Sequence, residues 1–206
     1  MMTAQIKNES SVQKAKKDLA LVYRVSQGDK GAQRQYILRL MPLVKRISSY
    51  MLKNHTDALD LSQNTLIRLL DKAGTYSGDS SLEVWAGSVT TRMALSYLDK
   101  KKRRRVINDI FLSLNKHSVS SEQIFDDVLA KHIFHQLLQK IKPAHRAVLI
   151  LKHVECYSVK EMADILLIPE NTVRERLRTA RAAIKKSVKK NRELMEWFFE
   201  GGKGEQ

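Results

Sequence analysis

The chain has 206 residues, 43% of them hydrophobic, which is enough for compact cores and excludes wholesale disorder. Its 37 Lys+Arg against 22 Asp+Glu give a net charge of +15, which favours a polyanionic partner: nucleic acid, or less often an anionic membrane surface. No run approaches the roughly 20 apolar residues of a membrane span, no secretory signal is visible at the N-terminus, and no P-loop or dinucleotide fingerprint is present.

Cys156 is the single cysteine, so no internal disulfide can form, which fits a reducing, cytoplasmic setting. It reads as a small buried apolar residue. Only 8 Gly and 3 Pro disfavour an all-β protein. The charge is unevenly placed. Residues 1–17 carry net +3, 18–105 +8, 106–139 −2, 140–192 +9 and 193–206 −3. Two basic blocks separated by a mildly acidic stretch suggest two polyanion-binding domains joined by a linker.

In chain order, 1–17 is an N-terminal extension. Leu19, Val22 and Tyr23, then Tyr36, Ile37, Leu40, Leu43, Val44 and Ile47, recur at helical spacing, with a break at Gly28-Asp29 between the two runs. Asp57 to Leu70 is a third amphipathic run, with Ala58, Leu61, Thr65 and Leu69 on one side and Asp60, Gln63 and Asn64 off it. Residues 75–80 form a loop by composition. Ser81 can cap a fourth helix with Leu82, Trp85, Ala86, Val89 and Met93 on one stripe.

Along that helix the stripe turns polar and basic at Arg92, Ser96, Lys100 and Arg103, and six consecutive cations close it, Lys100 to Arg105. The helix is expected to run off its core and meet phosphates, which relieve the mutual repulsion of the run. The alternative for such a run is a solvated tail. Residues 106–121 lack a period and read as linker. The 31 residues of 106–136 could span at most ~100 Å.

The second block, 122–192, holds the most specific pattern. Ser158 to Leu166 reads as a short helix with a serine cap, Leu167-Ile168-Pro169 as a tight break with Pro169 in the first turn of the next helix, and Glu170 onward as a second helix. Together they make a helix-turn-helix. On the second helix Val173, Leu177, Ala180 and Ile184 form an apolar stripe. Arg174, Arg178, Arg181 and Lys185 form a basic one, rotated by about 100°. The basic stripe suits phosphates, and Glu170, Asn171, Thr172 and Arg174 lie at the end that reaches base edges in a major groove.

These residues resemble the bacterial RNA polymerase sigma factors of the sigma-70 family, of the small extracytoplasmic-function (ECF) type. Gly28-Asp29, Ala32, Asp57 to Gln63 and Trp85 look like the family's region 2. Ile150-Leu151, Tyr157-Ser158, Glu161-Met162-Ala163, Asn171 to Leu177 and Ala180-Arg181 look like region 4. The resemblance implies an all-α protein of two small helical domains on a flexible linker, the C-terminal one a helix-turn-helix. It implies core RNA polymerase, promoter DNA and an anti-sigma factor as partners, no cofactor, and no chemistry of its own.

Carried over, Leu59, Asp60, Gln63 and Asn64 contact the polymerase. Arg92, Ser96, Lys100 and Arg103 lie at the surface that binds the melted −10 element. Glu170, Asn171, Thr172, Arg174, Arg178 and Arg181 lie on the helix that reads the −35 element. Tyr76 and Tyr97 are candidates for stacking on unpaired bases, with core packing the alternative for Tyr97. Arg92, Ser96 and Asp99 depart from common family residues, so promoter preference does not transfer. Leu167 and Cys156 stand where Gly is common. A leucine is strained in a left-handed turn, so a different local turn is expected there.

Other readings remain open on sequence alone: a regulator that binds its operator without polymerase, or a serine recombinase with a C-terminal helix-turn-helix. The recombinase needs an α/β domain that the helical first block does not suggest. His132 with His135 and His153 with Cys156 have ligand-like spacing, but nothing in the sequence brings the pairs together and no metal is expected. The acidic tail 193–206, with Trp197-Phe198-Phe199, either packs on the second domain or docks a regulator.

Overall fold

The computed structural model describes the backbone of residues 2–111 and 134–189 and the side chains of 13–104 and 134–187. Among the described residues all regular structure is helical: α1 (Met2–Ser26), α2 (Lys30–Met51), α3 (His55–Asp71), a 3-10 turn (Ala73–Thr75), α4 (Leu82–Phe111), α5 (described over 134–139), α6 (Pro143–His153), α7 (Val159–Leu166) and α8 (Glu170–Lys189). The chain divides into two compact units, with one boundary inside α4 between Ala94 and Leu95 and the short stretch Ala163–Leu167 grouped with the first unit. Helix α1 absorbs most of the expected N-terminal extension, and α4 continues six residues, 106–111, into the stretch expected as linker. The remaining linker, 112–121, and the tail lie outside the described residues.

The first unit is built as its sequence pattern dictates. The break after α1 falls at Gly28, whose φ of 81° is a left-handed value that glycine takes without penalty. Asp29 then caps α2, its Oδ1 accepting from the Ala32 amide at 3.0 Å while its Oδ2 accepts from Arg24 at 2.6 Å. Tyr36, Leu40, Val44 and Ile47 of α2 are fully buried, as α2 packs on α1 and α3, and Val22 and Val25 of α1, Leu61 and Leu69 of α3 and Leu82 and Ala86 of α4 are buried as well. The Tyr36 hydroxyl donates to the Leu69 carbonyl at 3.1 Å, tying α2 to the end of α3.

One side chain links three of these helices. Arg39 of α2 donates to Asp18 of α1 at 2.6 Å and to Glu83, in the first turn of α4, at 2.9 and 2.7 Å. Asp18 is 1% exposed. A buried carboxylate is tolerated only when paired, and the planar guanidinium can serve two carboxylates at once. Burial pushes the Glu83 carboxyl up, but hydrogen bonds from Arg39 outweigh it and hold the group below its ordinary value of 4.5.

In the second unit a buried arginine does different work. Arg146 of α6 donates through Nε to the Leu138 carbonyl at 2.8 Å and through Nη2 to the carbonyls of Gln139 and Ile141 at 3.2 and 3.1 Å. It thereby caps the orphan carbonyls at the C-terminus of α5, where positive charge is favoured. Burial pushes this guanidinium down to about 10, so it remains charged at neutral pH. Helix α6 opens on Pro143 at its first position and packs on α8. Ser158 and Glu161 form a reciprocal capping box at the start of α7, with the Ser158 amide donating to Glu161 at 2.8 Å and the Glu161 amide to Ser158 at 3.2 Å.

Three expectations are corrected here. The turns at Cys156 and Leu167 keep the left-handed backbone that glycine normally supplies, at φ 58° and 54°. The strain is accepted, not avoided. Cys156 is exposed, not buried: it sits at a left-handed position in the turn after α6, not on a packed helix face. Pro169 also sits one place earlier than expected, just ahead of α8, where its carbonyl accepts from the Val173 amide at 3.1 Å.

Removing the Arg39 guanidinium with Arg39→Met strands a buried carboxylate, and chemical denaturation should register a loss of about 3 kcal/mol. Because the Glu83 pKa is lowered on folding, its stabilising contribution is present above the ordinary glutamate range and disappears as pH falls through the lowered folded value. The melting-temperature gap between wild type and Glu83→Gln should therefore narrow from pH 7 toward pH 3. Leu167 is 72% exposed, so its side chain gains little from burial. Leu167→Gly should raise stability by about 0.5–1 kcal/mol in urea unfolding.

Candidate nucleic-acid interface

Helix α4 changes environment along its length as its sequence suggests. From Leu82 to Thr91 it is buried on most sides. Beyond that, Arg92, Ser96, Lys100 and Arg103 are all exposed, and their spacing aligns them along one side of the helix. Lys102 and Arg104 are exposed beside them, while the Arg105 side chain lies outside the described residues. A row of cations on a rigid helix presents charge at a fixed repeat, which suits a phosphate backbone better than a flexible run does.

The stacking candidates fare differently. Tyr76 is 5% exposed, with its hydroxyl donating to the Ser80 carbonyl at 2.6 Å and its ring edge-on to Trp85 at 5.8 Å. It is a core residue, and the expectation that it stacks on a base is corrected: the loop 75–80 folds back over it. Tyr97 is half-buried, and the Lys101 ammonium sits 5.7 Å from its ring centre. That pairing joins positive charge to an aromatic face on the cationic half of α4.

Helix α8 carries its two stripes as read. Val173, Leu177 and Ala180 are buried and Ile184 is half-buried. Arg174, Arg178, Arg181 and Lys185 are exposed. At its N-terminal end, Asn171 is exposed and Glu170 and Thr172 are half-exposed. Arg174 reaches back to Glu170 at 2.6 Å and to Asn171 at 3.1 Å, so three candidate base-reading side chains are joined in one exposed cluster. Arg178 pairs with Glu175 through both Nε and Nη2, at 3.0 and 2.8 Å. This second pair was not singled out from the sequence. Its signal is an acid and a base three apart on one helix.

The third surface is not basic. Leu59, Asp60, Gln63 and Asn64 of α3 are all exposed, opposite the buried Ala58, Leu61, Ser62, Thr65 and Leu69. Ile67, which sequence reasoning passed over, is 58% exposed and extends the row from Leu59 (40% exposed) through Gln63 at four-residue spacing. Exposed leucine and isoleucine flanking amide and carboxylate groups suit a protein partner better than a phosphate backbone. Among the described residues no group of three or more His, Cys, Asp or Glu is placed to hold a metal, and no helix is long and apolar enough to cross a membrane.

Comparison with known proteins matches two stretches of the chain separately. Residues 36–104 fit the Sigma-70 region 2 family model and residues 131–184 the Sigma-70, region 4 model. The chain is 25% identical over 182 residues to the RNA polymerase sigma-H factor of Pseudomonas aeruginosa, covering 83% of this chain and 93% of that protein. It is 29% identical over 134 residues to the ECF RNA polymerase sigma factor SigX of Bacillus subtilis, covering 61% and 67%. Its fold is similar to that of the sigma factor RpoE crystallised with the anti-sigma factor NepR from Bartonella quintana, at a TM-score of 0.61 and 21% identity over 77% of this chain and 97% of that one. Two family models in order, together spanning more than half of the chain, and relatives of one kind agree: the chain belongs to the sigma-70 family of RNA polymerase sigma factors, of the ECF type.

Proposed function

We propose that this alternative sigma factor works by dividing three tasks among three helices: α3 binds core RNA polymerase, the exposed half of α4 holds the melted −10 element, and α8 reads the −35 element as duplex. One observation carries the reading. Within the stretch matching region 2, residues 36–104, the polar and apolar row Leu59, Asp60, Gln63, Asn64 and Ile67 is exposed on α3, while the cationic row of Arg92, Ser96, Lys100 and Arg103 is exposed on α4. A plain DNA-binding protein needs only the second.

The working domains on this reading are 18–105 for polymerase and the −10 element and 122–192 for the −35 element, with 106–121 between them. The chain itself breaks and makes no bonds. It lowers the free energy of the open promoter by binding melted DNA, and the polymerase performs synthesis in the cytoplasm. The similar fold of the sigma factor RpoE, crystallised with the anti-sigma factor NepR, supports a partner of that class, which would cover the polymerase- and DNA-facing surfaces.

Asp60→Lys combined with Gln63→Ala should weaken binding to core polymerase, measured by titration of labelled protein, while circular dichroism stays unchanged because both positions are solvent-facing. Undiminished affinity would remove α3 from the contact. Arg174→Ala should weaken recognition of the −35 duplex by about 1–3 kcal/mol if it reads a base. An equal loss on every sequence would show that Arg174 meets only phosphate.

A further inference from the structure

The cationic stripe of α8 is not uniform. Residues 170–179 carry three arginines and two glutamates, whereas 180–189 carry four cations, Arg181, Lys185, Lys186 and Lys189, and no acid. In the first half Arg178 is engaged two-pronged by Glu175, which also lies 3.4 Å from the Thr179 hydroxyl. Both partners are well exposed, at 79% and 57%.

The pair therefore contributes little to folding, as surface ion pairs generally do. Its effect on a polyanion is larger. A guanidinium whose fork is already filled must leave its carboxylate before it can take a phosphate. The abandoned carboxylate then faces the DNA.

Glu170 is different in kind. It sits in the first turn, joined to Arg174 and close to Asn171, where a carboxylate can accept from a cytosine amino group and contribute to reading. Glu175 lies one residue beyond Arg174, rotated by about 100° off the stripe, and so flanks the contact without entering it.

We infer that Glu175 is a positioning residue that acts through Arg178 as an electrostatic brake on duplex binding, lowering the affinity of the free protein for DNA of any sequence. The inference rests on α8 being the duplex-binding helix and adds a function to a residue that reading leaves idle. The mutual hydrogen bonds hold the Glu175 carboxyl below its ordinary range and raise the Arg178 guanidinium, so both remain charged at neutral pH. The brake keeps the factor from being titrated by bulk chromosomal DNA. It leaves promoter binding dependent on the additional contacts made together with polymerase.

The test uses the full chain and a fluorescent 30-base-pair duplex of random sequence, titrated over a potassium chloride series. Four proteins are compared: wild type, Glu175→Gln, Arg178→Ala and the double variant. Glu175→Gln should bind about two- to fivefold more tightly than wild type, and its log–log salt slope should steepen by about one, the release of one further counterion. A change in helix stability alone would not move that slope. In the Arg178→Ala background Glu175→Gln should give little further gain.

If Arg178→Ala binds less tightly than wild type but Glu175→Gln binds no more tightly, the brake is wrong and the duplex-binding role of α8 stands. Where Glu175→Gln gains equally with and without Arg178, the carboxylate acts directly on phosphate and the positioning role is overturned. Affinity unaltered in all three variants would overturn both the brake and the assignment of α8 to duplex DNA.

Discussion

Arg39 is the side chain on which the first unit depends. Its guanidinium joins Asp18 of α1 and Glu83 of α4 from the middle of α2, across 21 and 44 residues of chain. Hydrophobic burial brings the helices together but does not fix how far along one another they sit. Two charge-assisted hydrogen-bond sets on a planar group do fix it. Because Glu83 is in the first turn of α4, this contact anchors one end of a 30-residue helix whose far half leaves the core.

The second unit solves a related problem with another arginine. Arg146 is buried and holds the carbonyl end of α5, so the helix entering the unit is bonded directly to the scaffold on which α8 packs. In both units, then, one arginine is engaged within the fold to position helices, while the exposed ones are left to meet a partner. Net charge alone does not separate these roles. The +15 balance includes Arg146, which is buried, Arg39, which is held by Asp18 and Glu83, and Arg178, which is paired with Glu175. The charge available to DNA is smaller and more localised than composition suggests.

Periodicity made much of this legible in the sequence. Ala58, Leu61, Thr65 and Leu69 against Asp60, Gln63 and Asn64 follow directly from 3.6 residues per turn, and so do the paired stripes of α8. The change in α4 from apolar to basic also shows which half leaves the core. What stayed hidden has a common cause. The Arg39 network joins residues far apart in sequence, and no local spacing encodes it. The burial of Tyr76 comes from a loop closing over it, and the exposure of Cys156 from a single left-handed turn residue, and neither follows from residue type. The polar row on α3 was visible, but its apolar extension at Ile67 was not, because an isoleucine on a helix reads by default as core.

The central claim is that this chain gives polymerase a promoter preference instead of acting on DNA alone. The direct measurement is in vitro transcription with core RNA polymerase on genomic templates, with and without the protein, mapping the 5′ ends of the transcripts. The account predicts a new set of start sites that appears only when the protein and core are both present, with a shared −35 and −10 pattern upstream. A transcript map unchanged by the protein would contradict it, as would cleavage of supercoiled template by the protein without polymerase.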